Sequence, residues 1–137
     1  NIPTTISLLK TIPDMNLTLD ISHWCVVHES LLNDQKESVA LALSKTGHIH
    51  ARVGHAEGPQ VTDPRAPEWQ EAFQTHLQWW DEVLKLKNQQ GKAITILTEF
   101  GPPMYLPVVP YTNQPLANQW DINVYMLNFL RNRYQKN

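Results

Sequence analysis

A single cysteine, Cys25, stands in 137 residues. It excludes an intrachain disulfide and fits a reducing compartment, so the expected location is cytoplasmic. No apolar run approaches the ~20 residues that a membrane-spanning helix needs; the stretch from Ala93 to Leu97 is typical of what is there. The first residues lack the basic-then-apolar pattern of a signal peptide. A dominant charge is missing too. With 11 Lys and Arg against 13 Asp and Glu the net charge is −2, and the basic residues are spread along the chain, so no polyanion-binding stripe is visible. Neither nucleic acid nor a membrane is expected as a partner. Internal repeats, low-complexity tracts and a Gly-rich phosphate cradle are all absent.

The 42% hydrophobic share suits one globular unit or part of one. Thr4 and Thr5 can cap a short helix whose face is Ile6, Leu8, Leu9 and Ile12, and Pro13 ends it. Met15 to Ile21 alternates Leu17, Leu19 and Ile21 with polar residues and predicts a strand. Leu31 to Ser44 predicts a helix with Val39, Leu41 and Leu43 inward, stopped by Gly47. His48 to Val53 predicts a second strand, with Ile49, Ala51 and Val53 on one side and His48, His50 and Arg52 on the other.

Gly54 to Pro67 reads as a long ordered loop. A helix from Glu68 to about Lys87 carries Trp69, Phe73, Leu77, Trp80 and Leu84, and Gly91 closes it. Ala93 to Thr98 is a third strand, its apolar run predicting cover on both faces. After a Pro-rich loop from Gly101 to Pro115, Leu116 to Tyr134 predicts a last helix with Trp120, Val124, Leu127 and Leu130 inward. The fold class is therefore α/β, about three parallel strands and four helices joined by crossovers. Such a set makes either a small open sheet or the C-terminal portion of a (β/α)8 TIM barrel.

Asp20, His50 and Glu99 fall at or near the C-terminal ends of three different strands, where parallel α/β proteins build their sites. Two carboxylates and an imidazole suit a divalent metal such as Mn, Mg, Co or Zn. Each residue also has a plainer reading: Asp20 caps a turn, His50 is a satisfied buried histidine, and Glu99 pairs with Arg52. Cys25 has no base beside it in any recognisable motif and reads as structural.

The segments Leu19-Asp20-Ile21-Ser22-His23-Trp24, His48-Ile49-His50-Ala51-Arg52-Val53-Gly54 and Thr98-Glu99-Phe100-Gly101-Pro102-Pro103 resemble the last three strand ends of the xylose isomerase-like sugar phosphate isomerase/epimerase barrels. The resemblance spans nearly the whole chain. It implies that Asp20, His50 and Glu99 hold a divalent metal, that Glu99 also serves as a catalytic carboxylate, and that His23 and Arg52 contact substrate. His55, on the long loop, is a further candidate for substrate binding. The implied activity is isomerisation or epimerisation of a sugar or sugar phosphate through an enediolate.

The family's first metal ligand, a Glu on the preceding strand, has no counterpart in residues 1–137. The resemblance thus implies that these residues are the C-terminal half of one barrel domain, inactive alone, with the N-terminal half or a second copy as partner. Two other classes stand beside this reading. One is a metal-dependent phosphoester hydrolase of the apurinic-endonuclease-like barrel type, which needs more His and Asp ligands than are found. The other is a non-catalytic interaction fragment.

Overall fold

The structure is a computed structural model that describes residues 1–135. Among these residues five α-helices accompany a three-stranded, wholly parallel sheet of order β1-β2-β3. Helix α1 (Ile2–Thr11) is capped by the Asn1 side chain, which accepts from Thr4 N at 3.0 Å, rather than by Thr4 or Thr5. Pro13 bars helical geometry at Ile12, whose φ of −121° and ψ of 85° take the chain out of the helix. Strand β1 is only Leu17–Leu19, because the chain turns directly into α2 (Ser22–Val27), a six-residue helix that the sequence pattern did not predict.

Helix α3 (Lys36–Ser44) starts later than expected. Leu32 sits in the left-handed region at φ 59° with its side chain buried, so Leu31 to Gln35 form an irregular turn. Gly47 does not stop this helix. It lies inside β2 (Thr46–Ala51), and the helix end is closed by Ser44 Oγ donating to Leu41 O and Thr46 Oγ1 donating to Ala42 O. A 3₁₀ turn at Pro67–Trp69 leads into α4 (Gln70–Gln89). Gly91 at φ 63° ends α4, with Lys92 N donating to Lys87 O at 3.0 Å. Strand β3 (Thr95–Thr98) and α5 (Gln119–Tyr134) complete the unit, α5 capped by the Asn118 side chain.

The core lies between the sheet and its helices. Ile49 and Ala51 of β2, with Leu19 and Val53, are buried against Phe73, Leu77, Trp80 and Val83 of α4. Burying each such large side chain contributes about 1.5–3 kcal/mol. Three expected inward residues of α5 face out instead: Trp120 is 75% exposed, and Val124 and Leu127 are also exposed. Ile122, Met126 and Leu130, at the same helical spacing, are the buried set. Leu8 and Ile12 are likewise exposed while Leu9 is buried.

Register decides what the opposite sheet face carries. Leu19 pairs with Ile49 and Ile49 with Ile96, so these share the helix-covered face. Thr18 pairs with His48 and His48 with Thr95, while His50 pairs with Leu97, and these share the other face. That face meets water rather than a second layer: Leu97 is 50% exposed and Thr18 and Thr95 are exposed. The expected cover on both faces of β3 is therefore not found. No helix among the described residues is long and apolar enough to cross a membrane.

Candidate metal centre

Alternation along the strands aims the polar residues at this open face. One step beyond the paired Leu19 and Ile49 lie Asp20 and His50, and one step beyond Ala51 and Thr98 lie Arg52 and Glu99. All four thus emerge on one face, at the C-terminal edge of the sheet. One ligand atom from each of Asp20, His50 and Glu99 lies within 4.8 Å of the others. His50 Nδ1 contacts Glu99 Oε2 directly.

Arg52 lies beneath this group, 4% exposed. Its Nη2 is 2.8 Å from Asp20 Oδ2 and 3.2 Å from Glu99 Oε2, and its guanidinium stacks 4.4 Å from the Tyr105 ring centroid. Both the ion pair read from the sequence and a place beside the candidate ligands are thus realised. His23 Nε2 is 3.5 Å from Asp20 Oδ2, and its ring meets Tyr105 edge-on. His55 goes elsewhere. It packs on the Trp69 ring at 4.6 Å and bridges to Gly58, and burial lowers its pKa from the ordinary histidine value.

The charge balance here is incomplete. Asp20 Oδ2 and Glu99 Oε2 are buried oxygens within ion-pair distance of Arg52, yet neither receives an aligned hydrogen bond, and Arg52 Nε also lacks a partner. A cation accepting lone pairs from both carboxylates and from the His50 imidazole would add to the Arg52 ion pairs that these oxygens already have, and the mixed O and N donors fit Mn, Mg, Co or Zn. The residues therefore suit a divalent metal.

Several positioning residues carry no sequence motif. Ser22 Oγ donates to Asp20 Oδ1 at 2.5 Å. Gly54 lies so close to Ser22 that a Cβ there would meet Ser22 Cβ at 2.7 Å and Ser22 O at 2.9 Å. His76, fully buried on α4, accepts from Gly54 N at Nε2 (3.2 Å) and donates from Nδ1 to Ala72 O (2.8 Å). Its burial pushes the imidazole down to about 4, against smaller opposing effects of Ala72 and Asp20, so it is neutral at pH 7.

Amide side chains hold the turn after Glu99. Asn123 accepts from Phe100 N (3.0 Å) and donates to Phe100 O (2.9 Å), and Gln60 accepts from Gly101 N (2.7 Å) and donates to Gly101 O (3.2 Å). Cys25, buried in α2, is an inert thiol. Burial first, with Asp20 adding to it, pushes its pKa up to about 12. No protein-family model, curated protein or solved structure matches the chain.

Proposed function

We propose that the chain binds one divalent cation through Asp20, His50 and Glu99 and takes part in the isomerisation or epimerisation of a sugar or sugar phosphate. The observation that carries this reading is the convergence of three ligand atoms within 4.8 Å at the ends of three adjacent strands, two of the residues contributing carboxylate oxygens without aligned donors. The resemblance at the same strand ends supplies the substrate class. A bound divalent cation would polarise a substrate carbonyl and orient the neighbouring hydroxyl.

The chain's own residues divide the remaining work. Glu99 has the most exposed side chain of the three, 34% against 13% for Asp20, and is the carboxylate proposed to move a proton at the carbon next to the carbonyl. His50 keeps Glu99 oriented. Arg52 offsets the charge of both carboxylates from below, and His23, at 46% side-chain exposure, is the group that reaches incoming substrate. On this reading the sheet is part of a (β/α)8 barrel and its open face is the barrel interior. Further strands, from another segment or a second copy, would complete that wall and contribute the remaining ligand.

The test is Mn²⁺ binding followed by electron paramagnetic resonance, with ketose and aldose substrates then examined by NMR for solvent deuterium entering the carbon next to the carbonyl. Wild type is expected to bind one ion per chain, and His50→Ala to bind more than about tenfold more weakly. Absence of stoichiometric binding removes the metal centre. Because the reading needs a further ligand from other strands, exchange is expected only where the chain is associated; an associated, metal-loaded protein that exchanges no sugar tested removes the isomerase assignment and leaves the metal site.

A further inference from the structure

The opposite edge of the sheet holds a second polar cleft, formed by residues that are far apart in sequence. Lys45 immediately precedes β2, Lys87 lies in the last turn of α4, and Lys92 lies just before β3. Together with Asn16, Ser44 and Gln90 they line a cleft of about 410 Å³ in which Asp14 is the lining carboxylate. Spread along the sequence, these lysines give no basic run; the fold brings them together.

Lysines at helix C-termini ordinarily answer the carbonyls and the dipole there. Here those carbonyls already have donors. At the end of α4, Leu86 O and Lys87 O accept from Gln90 N, and Lys87 O also accepts from Lys92 N. At the end of α3, Leu41 O and Ala42 O accept from Lys45 N and from the Ser44 and Thr46 hydroxyls. Lys45 Nζ donates to Pro13 O at 2.5 Å and keeps two further N–H groups. Lys87 is 6% exposed, and the charges that bear on it are other lysines. Burial first, then Lys92 and Lys45, lowers its pKa from the ordinary lysine value. Three lysines line one cleft with one exposed carboxylate, and the cleft therefore carries an excess of positive charge.

We propose that the cleft of Lys45, Lys87 and Lys92 is a binding site for a phosphate group, on the sheet edge opposite the candidate metal centre and independent of it. Cationic donors converging on a small concave surface are the chemistry that recognises a multiply charged oxyanion, whether free phosphate or a phosphate ester.

The test is calorimetric titration of the full chain with inorganic phosphate, ionic strength being held constant with sodium chloride. Saturable binding at one site is expected. Lys92→Ala removes an exposed side chain, and Lys87→Met keeps a long apolar stem without the charge; each is expected to weaken binding by about tenfold. Lys85→Ala, whose ammonium pairs with Glu82 at 3.0 Å outside the cleft, is expected to leave it unchanged. Circular dichroism checks the fold of each variant, and if Lys87→Met fails to fold, Lys92→Ala decides. Tighter binding of ribose 5-phosphate than of phosphate would identify an ester ligand, and equal or weaker binding would identify the free ion. Heats that follow ionic strength without saturation, or a folded Lys92→Ala that binds like wild type, would overturn the proposal.

Discussion

Gly54 has no room for a methyl group: its added carbon would press on the Ser22 backbone as well as its side chain, and backbone cannot rotate away. Gly54→Ala is therefore expected to cost about 1–3 kcal/mol in urea unfolding. It should also weaken Mn²⁺ binding, because Ser22 holds Asp20 Oδ1. An unchanged urea midpoint would show that the contact yields freely. His76 makes a pH-dependent contribution. Its folded pKa of about 4 lies below the ordinary 6.5, so between these values the unfolded chain takes up a proton that the folded chain does not. Stability from this residue is complete above pH 6.5 and is lost progressively as pH falls toward 4, by roughly 3 kcal/mol in all. His76→Gln, which keeps an acceptor for Gly54 N without a titrating ring, is expected to unfold with a flatter dependence over that window. Parallel curves for the two proteins would exclude the linkage. His76 was not singled out in the sequence: it lies among the buried residues Phe73, Leu77 and Trp80 of its helix, and nothing there tells that it accepts a hydrogen bond from a loop 22 residues away.

Among the described residues strand β3 pairs with β2 alone, so the turn that carries Glu99 has no neighbouring strand there on its far side. Gln60 and Asn123 supply the missing restraint by satisfying both polar groups of Gly101 and Phe100. Gln60→Ala removes two hydrogen bonds and is expected to cost about 1–3 kcal/mol. Its effect on Mn²⁺ affinity should exceed that of Trp120→Ala, which alters an exposed side chain of α5. Equal effects would make Gln60 a general stabiliser rather than a support for Glu99. Neither amide could be singled out in advance, since an Asn or Gln in a loop or on a helix has no pattern that tells its partner. Strand ends were legible because period-two alternation sets the faces, and it brought Asp20, His50, Arg52 and Glu99 to one side. Helix α5 was legible in extent but not in rotation. Trp120, Val124 and Leu127 and the buried Ile122, Met126 and Leu130 form two apolar stripes of similar spacing, and only the tertiary contacts choose between them. Helix α2 is too short for its apolar spacing to declare a face, and no side chain caps its start.

Leu97 condenses what the whole molecule leaves open. It shares a sheet face with His50, and half of it is in water, although it stands in the apolar run from Ala93 to Leu97. In a chain that stays monomeric, Leu97→Lys should change stability by less than about 0.5 kcal/mol, since a half-exposed side chain has little burial to lose and the lysine stem can lie along the sheet. A covered face behaves differently. If a second copy or further strands close over it, the new ammonium is trapped between layers, and the loss rises to several kcal/mol. Urea unfolding at two protein concentrations separates these cases, because stability that comes from association grows with concentration and stability of a lone chain does not. If a second copy supplies the remaining wall of the barrel, the expected outcome is the covered case: a strongly destabilising substitution and concentration-dependent unfolding. A near-neutral substitution with concentration-independent unfolding would mean that the face bearing Asp20, His50 and Glu99 is an open surface in solution, and that no second copy closes over the candidate metal centre.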